Sequence, residues 1–468
     1  MEILFVTLYA LIAAAVTAHV LLTKSDVRAA LAWIAVAWLS PFFGAFLYFV
    51  FGINRVSRRA LNLAMPERPE EDGEATDARP AVPENIGLLA EASARVTDSP
   101  LIAGNAVSVF HGGDEAYPAM LEAVGNAKHS VALASYIFRH DVTGRTFVDA
   151  LIAAHKRGVA VRVLIDSVGS GYLWSDMLND LKRGGVPAAR FLHTWLPWRM
   201  PFLNMRNHKK LLIVDGAVGF TGGLNIGADH SRRLVRKRSE YVDDVQVRVE
   251  GPVVRQLLQT FAQDWSFTTD EELTGEAWWP RIMTAGQVFA RGIHSGPDAD
   301  IYKLETILGA ALAQARSRVR IVTPYFLPDQ RMQFAIAQAG LRGVKVEILI
   351  PEHSDHLFMD WAMRAHLRFF EDVPAAVYFT PAPFNHAKLM TVDGEWCLVG
   401  SSNWDTRSFR LNFEFDLECY DRALTADIDA VIDRKIAQCR NVDIAALAAA
   451  PPAARLRDAA FRLLLPYL

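Results

Sequence analysis

Two stretches of the sequence repeat one set of residues that can act on a substrate. NHKKLLIVDGAVGFTGGLN (207–225) aligns with NHAKLMTVDGEWCLVGSSN (385–403), and the offset from His208 to His386 is 178 residues. Both copies follow the pattern H-x-K-x4-D-x6-G-[GS]-x-N. A single His-x-Lys pair would be a weak signal, since both residues are common on protein surfaces. Two copies in register indicate a duplicated functional unit.

The repeated residue types suit chemistry at a phosphodiester. Lysine ammonium groups and neutral amide donors hold the anion and neutralise the charge that develops on it. A histidine, with an ordinary pKa of about 6.5, can attack phosphorus or protonate the leaving alkoxide. Two motifs therefore supply a nucleophile and an acid, and this scheme requires no metal and no cofactor. The candidates are His208, Lys210 and Asn225 in the first copy and His386, Lys388 and Asn403 in the second.

The elements that must position these residues are predicted to be strands. The apolar alternation around both motifs is typical of a β-strand, in which residues two apart lie on one face. His208 and Lys210 are thus expected to project together. The Asp-Gly pairs that follow are typical of hairpin turns. For Asp215 and Asp393 two interpretations stay open, a structural role in these turns or a direct catalytic role beside the lysines.

The remainder of the body is also doubled. The first unit runs strand, helix, strand in SVALASYIF (130–138), TGRTFVDALIAAHKR (143–157) and VAVRVLID (159–166). The second repeats this order in VRIVTPYF (319–326), MQFAIAQAGLR (332–342) and VKVEILIP (344–351). Units of this length imply parallel strand pairing in an α/β sandwich. The predicted fold is α/β, with repeat 1 at residues 86–275, repeat 2 at residues 276–468 and one active site shared between them.

The N-terminal residues have the composition of membrane spans. Residues 3–22 and 30–53 contain no acidic or basic side chain apart from one histidine, and each is long enough to cross roughly 30 Å of hydrocarbon. A cleaved signal peptide is the alternative for the first segment. Such a peptide begins with a positively charged region, whereas the early charged residue here is the acidic Glu2. We predict a transmembrane hairpin within residues 1–60 and a flexible acidic, proline-rich linker at 61–85. The arginines at 55, 58 and 59 favour a cytoplasmic body.

Composition disfavours two other classes of protein. The net charge of −3 lacks the basic excess usual in nucleic-acid binders, so no nucleic-acid partner is predicted. The three cysteines, Cys397, Cys419 and Cys439, show no CxxC spacing. Neither a disulfide framework nor a zinc site is therefore indicated.

The twin motifs resemble those of the phospholipase D superfamily, whose two copies meet at one active site. That resemblance implies a covalent phosphohistidine on one histidine, with the other as general acid. It assigns catalysis to the histidines, lysines and asparagines named above, with Asp215 and Asp393 completing the motifs. It also implies an acidic residue after each motif that orients the opposing histidine. Glu414 in RSFRLNFE matches this position, and in the first half Asp244 is preferred over its neighbours Asp243 and Glu240.

Longer blocks resemble bacterial cardiolipin synthases over nearly the whole chain. They include SYIFRHD, HKRGVAVRVLIDSVGS, LRGVKVEILIPEHSDH and the C-terminal RLRDAAFRLLLPYL. The resemblance implies a multi-pass protein of the bacterial inner membrane that joins two phosphatidylglycerol molecules into cardiolipin and glycerol. His208 is taken as the nucleophile and His386 as the acid. The alternatives are a hydrolytic phospholipase D or another phosphatidyltransferase, then a nuclease, and last a catalytically dead scaffold.

Two flanking segments bear on the substrate. WLPWRMPFLNMR (195–206) places aromatic residues and methionines before His208, where they can meet a bilayer or acyl chains, or pack on the body. RRLVRKR (232–238) can attract anionic headgroups, or can be a solvated loop. An anionic lipid substrate favours the first interpretation of this basic segment.

Overall fold

The computed structural model describes residues 2–24, 27–52, 84–171, 175–193, 205–297 and 300–463. The chain divides into two units, one formed by residues 1–64 and 194–204, the other by residues 65–193 and 205–468. Almost all of the predicted linker, residues 61–83, and residues 195–204 of the aromatic segment lie outside the described residues.

The N-terminal unit is helical. Its helices are α1 (Glu2–Thr23), α2 (Val27–Leu39) and α3 (Pro41–Leu47), followed by a π-helical turn at Tyr48–Gly52. A small apolar cluster joins Val16 and Val20 of α1 to Ala30 and Ala37 of α2. Residues 3–23 of α1 are long and apolar enough to cross a membrane by length and composition.

The second predicted span, residues 30–53, is not one continuous helix. α2 ends at Leu39, and α3 starts anew at Pro41. Proline has no N–H to continue the hydrogen-bond ladder but is favoured at the first position of a helix, so the break falls where the sequence places it. Among the described residues only α1 reaches the length of a full span, and α2 is a shorter apolar helix.

The body is built around one continuous sheet. The strands of its first half are β1 (Ile102–His111), β2 (Ser130–Ser135), β3 (Ala160–Asp166), β4 (Ala188–Phe191), β5 (Arg206–Asn207), β6 (Leu211–Val214), β7 (Val218–Gly222), β8 (Val242–Asp243) and β9 (Val245–Glu250). Those of its second half are β10 (Val288–Ser295), β11 (Arg318–Val322), β12 (Phe326–Leu327), β13 (Lys345–Pro351), β14 (Ala375–Thr380), β15 (Phe384–Asn385), β16 (Leu389–Val392), β17 (Trp396–Gly400), β18 (Trp404–Asp405), β19 (Asn412–Tyr420) and β20 (Arg440–Asn441).

The helices of the body cover this sheet. They are α4 (Glu84–Thr97), α5 (Gly112–Asn126), α6 (Val142–Lys156), α7 (Asp176–Arg183), α8 (Val254–Thr269), α9 (Lys303–Gln314), α10 (Gln330–Leu341), α11 (Leu357–Leu367), α12 (Thr406–Arg410), α13 (Arg422–Ile436), α14 (Ile444–Ala448) and α15 (Pro452–Arg462).

The strand order shows the duplication directly. It runs β20-β14-β13-β11-β16-β17-β19-β10-β1-β9-β7-β6-β2-β3-β4, so each half repeats one order outward from the central β10–β1 pair. The two predicted strand–helix–strand units are confirmed, because β2 pairs parallel with β3 across α6 and β11 pairs parallel with β13 across α10. The predicted α/β fold with two repeats is therefore confirmed.

Local chemistry explains why the equivalent crossover helices begin and end alike. The Asp141 carboxylate accepts a hydrogen bond from Gly144 N at the start of α6, and Asp329 caps α10 in the same way. Gly158 and Gly343 follow the two helices with φ of +93° and +89°, a conformation that side chains disfavour. In both cases three residues separate the end of the helix from a largely buried strand of the sheet.

Each half has its own apolar core, but the boundary differs from the predicted one. The first core contains Phe147 and Val163, and the second contains Ile307 and Ile348. α4, which was predicted to begin repeat 1 at residue 86, packs its apolar face (including Leu89) into the second core. The reason is that α4 is amphipathic and lies against α9, so its buried side chains belong to repeat 2 although they precede repeat 1 in the chain.

Candidate active site

The two His-x-Lys segments lie just before their strands, not within them as predicted. β6 and β16 begin at the residue after each lysine. The strand leading into each motif pairs instead with the opposite half: β5 lies parallel to the start of β19, and β15 lies parallel to β8. His208 N donates to Phe413 O at 2.9 Å, and His386 N donates to Asp243 O at 2.7 Å. The backbone of each motif is therefore held by the other half.

This exchange brings each histidine to an acid from the opposite half. Glu414 lies two residues after Asn412, the partner of β5, and its Oε2 is 2.9 Å from His208 Nδ1. Asp244 lies two residues after Val242, and its Oδ2 is 2.7 Å from His386 Nδ1. A carboxylate at Nδ1 favours the tautomer with the proton on Nδ1, which leaves Nε2 for chemistry.

The three acidic residues proposed to orient a histidine in the first half make different contacts. Of the three, Asp244 is the one whose carboxylate contacts a motif histidine, His386. Asp243 forms an ion pair with Lys435, and Glu240 accepts a hydrogen bond from Lys237 N in a short 3₁₀ turn.

The two motif lysines are buried beside the histidines. Lys210 Nζ donates to His208 O at 2.6 Å, and Lys388 Nζ donates to His386 O. Burial, followed by repulsion from Lys388, lowers the pKa of Lys210 to about 7, although Glu414 opposes this shift. Burial lowers the pKa of Lys388 to about 8, with Asp244 and Glu414 opposing. Two cations confined this closely favour an anion between them.

Both histidines have pKa values well below the ordinary 6.5. Burial is the first cause for His208, followed by the charges of Lys210 and Lys388. Burial is also first for His386, followed by Lys388, Lys210 and His208. Each lysine acts on the histidine of the other half, so the two motifs form one site. An arriving phosphodiester offsets the lysine charges and raises both histidine pKa values toward the range of an acid.

The two motif asparagines lie in the same buried region. Asn225 Oδ1 accepts a hydrogen bond from Ile137 N at 3.3 Å. Asn403 N donates to Ser408 Oγ at 3.1 Å, while its buried Oδ1 has no hydrogen-bond partner in the described part of the chain. The amide NH₂ of each asparagine is the donor suited to phosphate and ester oxygens, whereas the amide oxygen is an acceptor.

The residue two before each asparagine differs between the copies for a steric reason. A side chain at Gly223 would start 2.2 Å from Asp244 Oδ1, so only glycine fits there without displacement. At the equivalent position Ser401 Oγ donates to Glu414 Oε2 at 2.5 Å. One orienting acid is thus supported by a hydroxyl, and the other occupies the space where that hydroxyl would be.

Asp215 and Asp393 lie in the hairpin turns, at the far ends of β6 and β16 from the lysines. Both adopt positive φ, +51° and +54°. The Asp215 carboxylate accepts hydrogen bonds from the backbone N–H groups of residues 128–130, and Asp393 does the same for residues 316–318. The two carboxylates tie each turn to the start of β2 or β11, the strands that flank the motifs.

Several residues at the site were not found from the sequence. The Tyr136 ring lies 4.7 Å from that of His208, and its hydroxyl accepts a hydrogen bond from Arg206 at 2.7 Å. The buried His230 ring lies 6.1 Å from the His386 ring. Arg206 stands two residues before His208, so the alternation that pairs His208 with Lys210 was a signal for it. Tyr136 and His230 come from other segments, and no local spacing indicates them.

The basic segment and the three cysteines lie outside this group of residues. The basic segment 232–238 is largely exposed between two 3₁₀ turns. Cys397 and Cys419 are buried free thiols, and Cys439 is a half-buried one. Within the described ranges, no group of histidine, cysteine and acidic residues is arranged to hold a metal ion.

Two family profiles match the sequence. The profile described as cardiolipin synthase, PLD-like domain, matches residues 120–265 and 308–436, which contain both motifs. A second, described as phospholipase D-nuclease N-terminal, matches residues 10–52.

Individual proteins agree with these profiles. A cardiolipin synthase of Geobacillus thermodenitrificans (strain NG80-2) is 31% identical over 402 residues, covering 83% of this chain and 79% of that protein. The major cardiolipin synthase ClsA of Bacillus subtilis (strain 168) is 29% identical over 466 residues, covering 95% of each chain. The crystal structure of a phosphatidylserine synthase of Haemophilus influenzae Rd KW20 shares the fold, with a TM-score of 0.64 at 16% identity over 81% of this chain and 100% of that one.

Proposed function

Because the chain belongs to the cardiolipin synthase family with phospholipase D-like domains, we propose that it makes cardiolipin and glycerol from two phosphatidylglycerol molecules. The observation that carries this proposal is the paired geometry of the site: two buried histidines, each oriented by an acid of the opposite half, beside two lysines. Such a site suits transfer of a phosphatidyl group through a covalent phosphohistidine.

In the first step, Nε2 of one histidine attacks the phosphorus of the first lipid. A P–N bond forms and the P–O bond to the headgroup glycerol breaks, while the other histidine gives its Nε2 proton to the departing oxygen. Lys210 and Lys388 hold the phosphoryl oxygens, whose charge grows in the transition state.

In the second step, a glycerol hydroxyl of the second lipid takes the place of the lost glycerol. The now neutral histidine accepts the hydroxyl proton, the hydroxyl oxygen bonds to phosphorus, and the P–N bond breaks. Both histidines return to their starting state, so the net reaction exchanges one ester for another.

We assign the nucleophile to His208 and the acid to His386. The reason is that Glu414 and Asp244, the carboxylates beside these histidines, differ in how many other hydrogen bonds they accept. Glu414 also accepts hydrogen bonds from Ser401 Oγ and Asn412 Nδ2, at 2.5 and 3.0 Å. Asp244 accepts one further bond, from Val245 N at 2.8 Å. The less compensated Asp244 favours a protonated partner, which an acid requires, while His208 more readily stays neutral.

A substrate with a good leaving group tests this assignment. A phosphatidyl ester of p-nitrophenol needs no acid to release its alcohol. His386→Ala should still release a burst of nitrophenol and accumulate a phosphorylated His208, detectable by mass spectrometry of the quenched protein. A burst in His208→Ala and none in His386→Ala would reverse the assignment.

We further propose a multi-pass protein of the bacterial inner membrane with a cytoplasmic body. α1 supports a first span by length and composition, and the arginines at 55, 58 and 59 support the orientation. The exposed basic segment 232–238 then faces anionic lipids of the inner leaflet. Protease should cut the body in inverted membrane vesicles and spare it in right-side-out ones. The opposite pattern would overturn the orientation.

The reaction itself is tested with purified full-length protein and phosphatidylglycerol vesicles. We expect cardiolipin and free glycerol in equal amounts. Phosphatidic acid without cardiolipin would replace the proposal with a hydrolytic phospholipase D, and cleavage of DNA without lipid turnover would replace it with a nuclease.

A further inference from the structure

Two arginines lie at the edge of the active site outside the twin motifs. Arg206 is half-buried in β5, two residues before His208, and its Nη1 donates to Tyr136 Oη at 2.7 Å. Tyr136 is also in contact with the catalytic motif, because its ring lies 4.7 Å from the His208 ring and 5.2 Å from Lys210 Nζ. Arg407, in α12 of the second half, is also half-buried and shares this neighbourhood.

The guanidinium group of Arg206 forms no ion pair with a carboxylate in the described part of the chain, although its charge acts on Asp166. Its Nε is buried without a hydrogen-bond partner, and it forms no ion pair with any residue that the structure describes. Asp166, on which the charge of Arg206 acts, accepts hydrogen bonds from the backbone N–H groups of Val168, Gly169 and Asn207. Asp405, which acts on Arg407, accepts a hydrogen bond from Ser408 N. A buried guanidinium donor without an acceptor is costly unless a ligand supplies one.

The two arginines also repel each other. Burial, followed by the charge of Arg206, lowers the pKa of Arg407 to about 10, with Asp405 opposing. The two guanidinium groups are cationic donors additional to the two lysines that are assigned to the first phosphodiester. The planar guanidinium fork is well matched to phosphate oxygens.

The proposed reaction has a second phosphodiester to accommodate. The acceptor lipid keeps its own anionic phosphate, and only three glycerol carbons separate this phosphate from the attacking hydroxyl. It must therefore approach close to the phosphoryl group on the enzyme. Without additional cations the two anions would repel each other, whereas water or a simple alcohol brings no such charge.

The other flank of the site is different. Phe384 occupies the position of Arg206 in the second copy, two residues before His386, and its ring lies 5.7 Å from that histidine. The arginine beside His208 is therefore not a consequence of the duplicated motif.

We propose that Arg206 and Arg407 form a second anion site, which binds the phosphodiester of the acceptor lipid while its glycerol hydroxyl attacks the phosphohistidine. This inference rests on the proposed function and adds to it the group that distinguishes a phosphatidylglycerol acceptor from water or an uncharged alcohol.

Competition between acceptors tests the site. Full-length protein receives phosphatidylglycerol in mixed micelles together with ethanol, and cardiolipin and phosphatidylethanol are measured in one reaction. Both products arise from the same phosphatidyl-enzyme, so their ratio cancels changes in the first step. We expect Arg206→Gln to lower the cardiolipin to phosphatidylethanol ratio at least tenfold, and Arg206→Lys to restore part of it.

Arg248→Gln is the matched control, since Arg248 is also half-buried with an unpartnered Nε but pairs with Glu250 on β9. It should leave the ratio unchanged. Arg407→Gln provides an independent variant from the other half, should Arg206→Gln fail to fold, and should lower the ratio in the same direction.

The outcomes separate the two proposals. A wild-type protein that makes phosphatidylethanol but no cardiolipin would overturn the proposed function and this inference with it. Wild-type cardiolipin synthesis, with an unchanged ratio in the arginine variants or an equal fall in Arg248→Gln, would overturn this inference alone.

Discussion

The two halves of the body present the same motif in different surroundings. Around His208 the orienting acid is Glu414, which also accepts hydrogen bonds from two side chains, Ser401 and Asn412. Around His386 the acid is Asp244, whose further donor is a backbone N–H of Val245. Duplication preserved the backbone frame, since both leading strands pair with the opposite half, while the side chains around each acid diverged.

The two halves also differ in the residues that lie beside each histidine. Arg206 and Tyr136 border His208, whereas Phe384 and His230 border His386. A symmetric pair of motifs can thus perform asymmetric chemistry, with one histidine attacking and the other moving a proton.

The largest effect is expected from removing either catalytic histidine. His208→Ala and His386→Ala should each lower cardiolipin formation about 10⁴-fold or more, because neither half retains both a nucleophile and an acid. Rates are measured by lipid product analysis, with exposed His129→Ala as control. Activity above a hundredth of the wild-type rate in either variant would contradict a shared site.

Replacing each of the two acids by its amide should lower kcat/KM by different amounts in the two halves. In Asp244→Asn, Val245 N–H should hold the amide oxygen, so the amide NH₂ turns toward His386 Nδ1 and imposes the wrong tautomer. We expect a loss of about 10³-fold. In Glu414→Gln the supporting donors are side chains of Ser401 and Asn412, which can rotate, so the loss should be about tenfold to a hundredfold. Equal losses, measured as kcat/KM, would show that this difference in support has no catalytic consequence.

The lysine pKa values predict an alkaline limit to activity. Lys210 and Lys388 have pKa values lowered to about 7 and about 8. Their charged forms, which bind phosphate, are present below these values and are lost as pH rises through them. We expect kcat/KM to fall as the pH rises through about 7 to 8, well below the ordinary lysine pKa near 10.4. A profile that stays flat to pH 10, measured in vesicles of constant composition, would show that both lysines remain charged.

The smallest catalytic effect is expected from the turn aspartates. Asp215→Ala and Asp393→Ala each remove a carboxylate that holds three backbone N–H groups, and each should cost about 1–2 kcal/mol of unfolding free energy. The turnover of the folded fraction should fall less than tenfold. Denaturant titration and activity on the same samples separate the effects, and a thousandfold loss of turnover at unchanged stability would assign the aspartates a direct catalytic role.

Much of the fold and the central residues of the site follow from local patterns. The strand–helix–strand units and the twin motifs depend on short-range spacing, and the structure has them within a few residues of the predicted positions. Asp244 was preferred over Asp243 only through family resemblance. The structure gives its physical reason, which is the register of β15 on β8.

What could not be predicted depends on contacts between distant parts of the chain. The packing of α4 into the second core joins Leu89 to residues beyond 300. The hydrogen bond between Tyr136 and Arg206 joins the residue after β2 to β5. No periodicity or spacing in the sequence indicates either contact. The break in the second apolar segment did have a local signal, because Pro41 cannot continue a helix but is favoured at the start of one.

The exchange of strands between the halves has a consequence for how the protein is made. During synthesis the first half leaves the ribosome with His208, Lys210 and Asn225, but without β19 to hold β5 and without Glu414 to orient His208. We expect this nascent segment to be inert toward the lipids around it. The capacity to cleave phospholipids should arise in one step, only after the last strands of the second half have been translated, so an unfinished or truncated chain poses no hazard to the membrane.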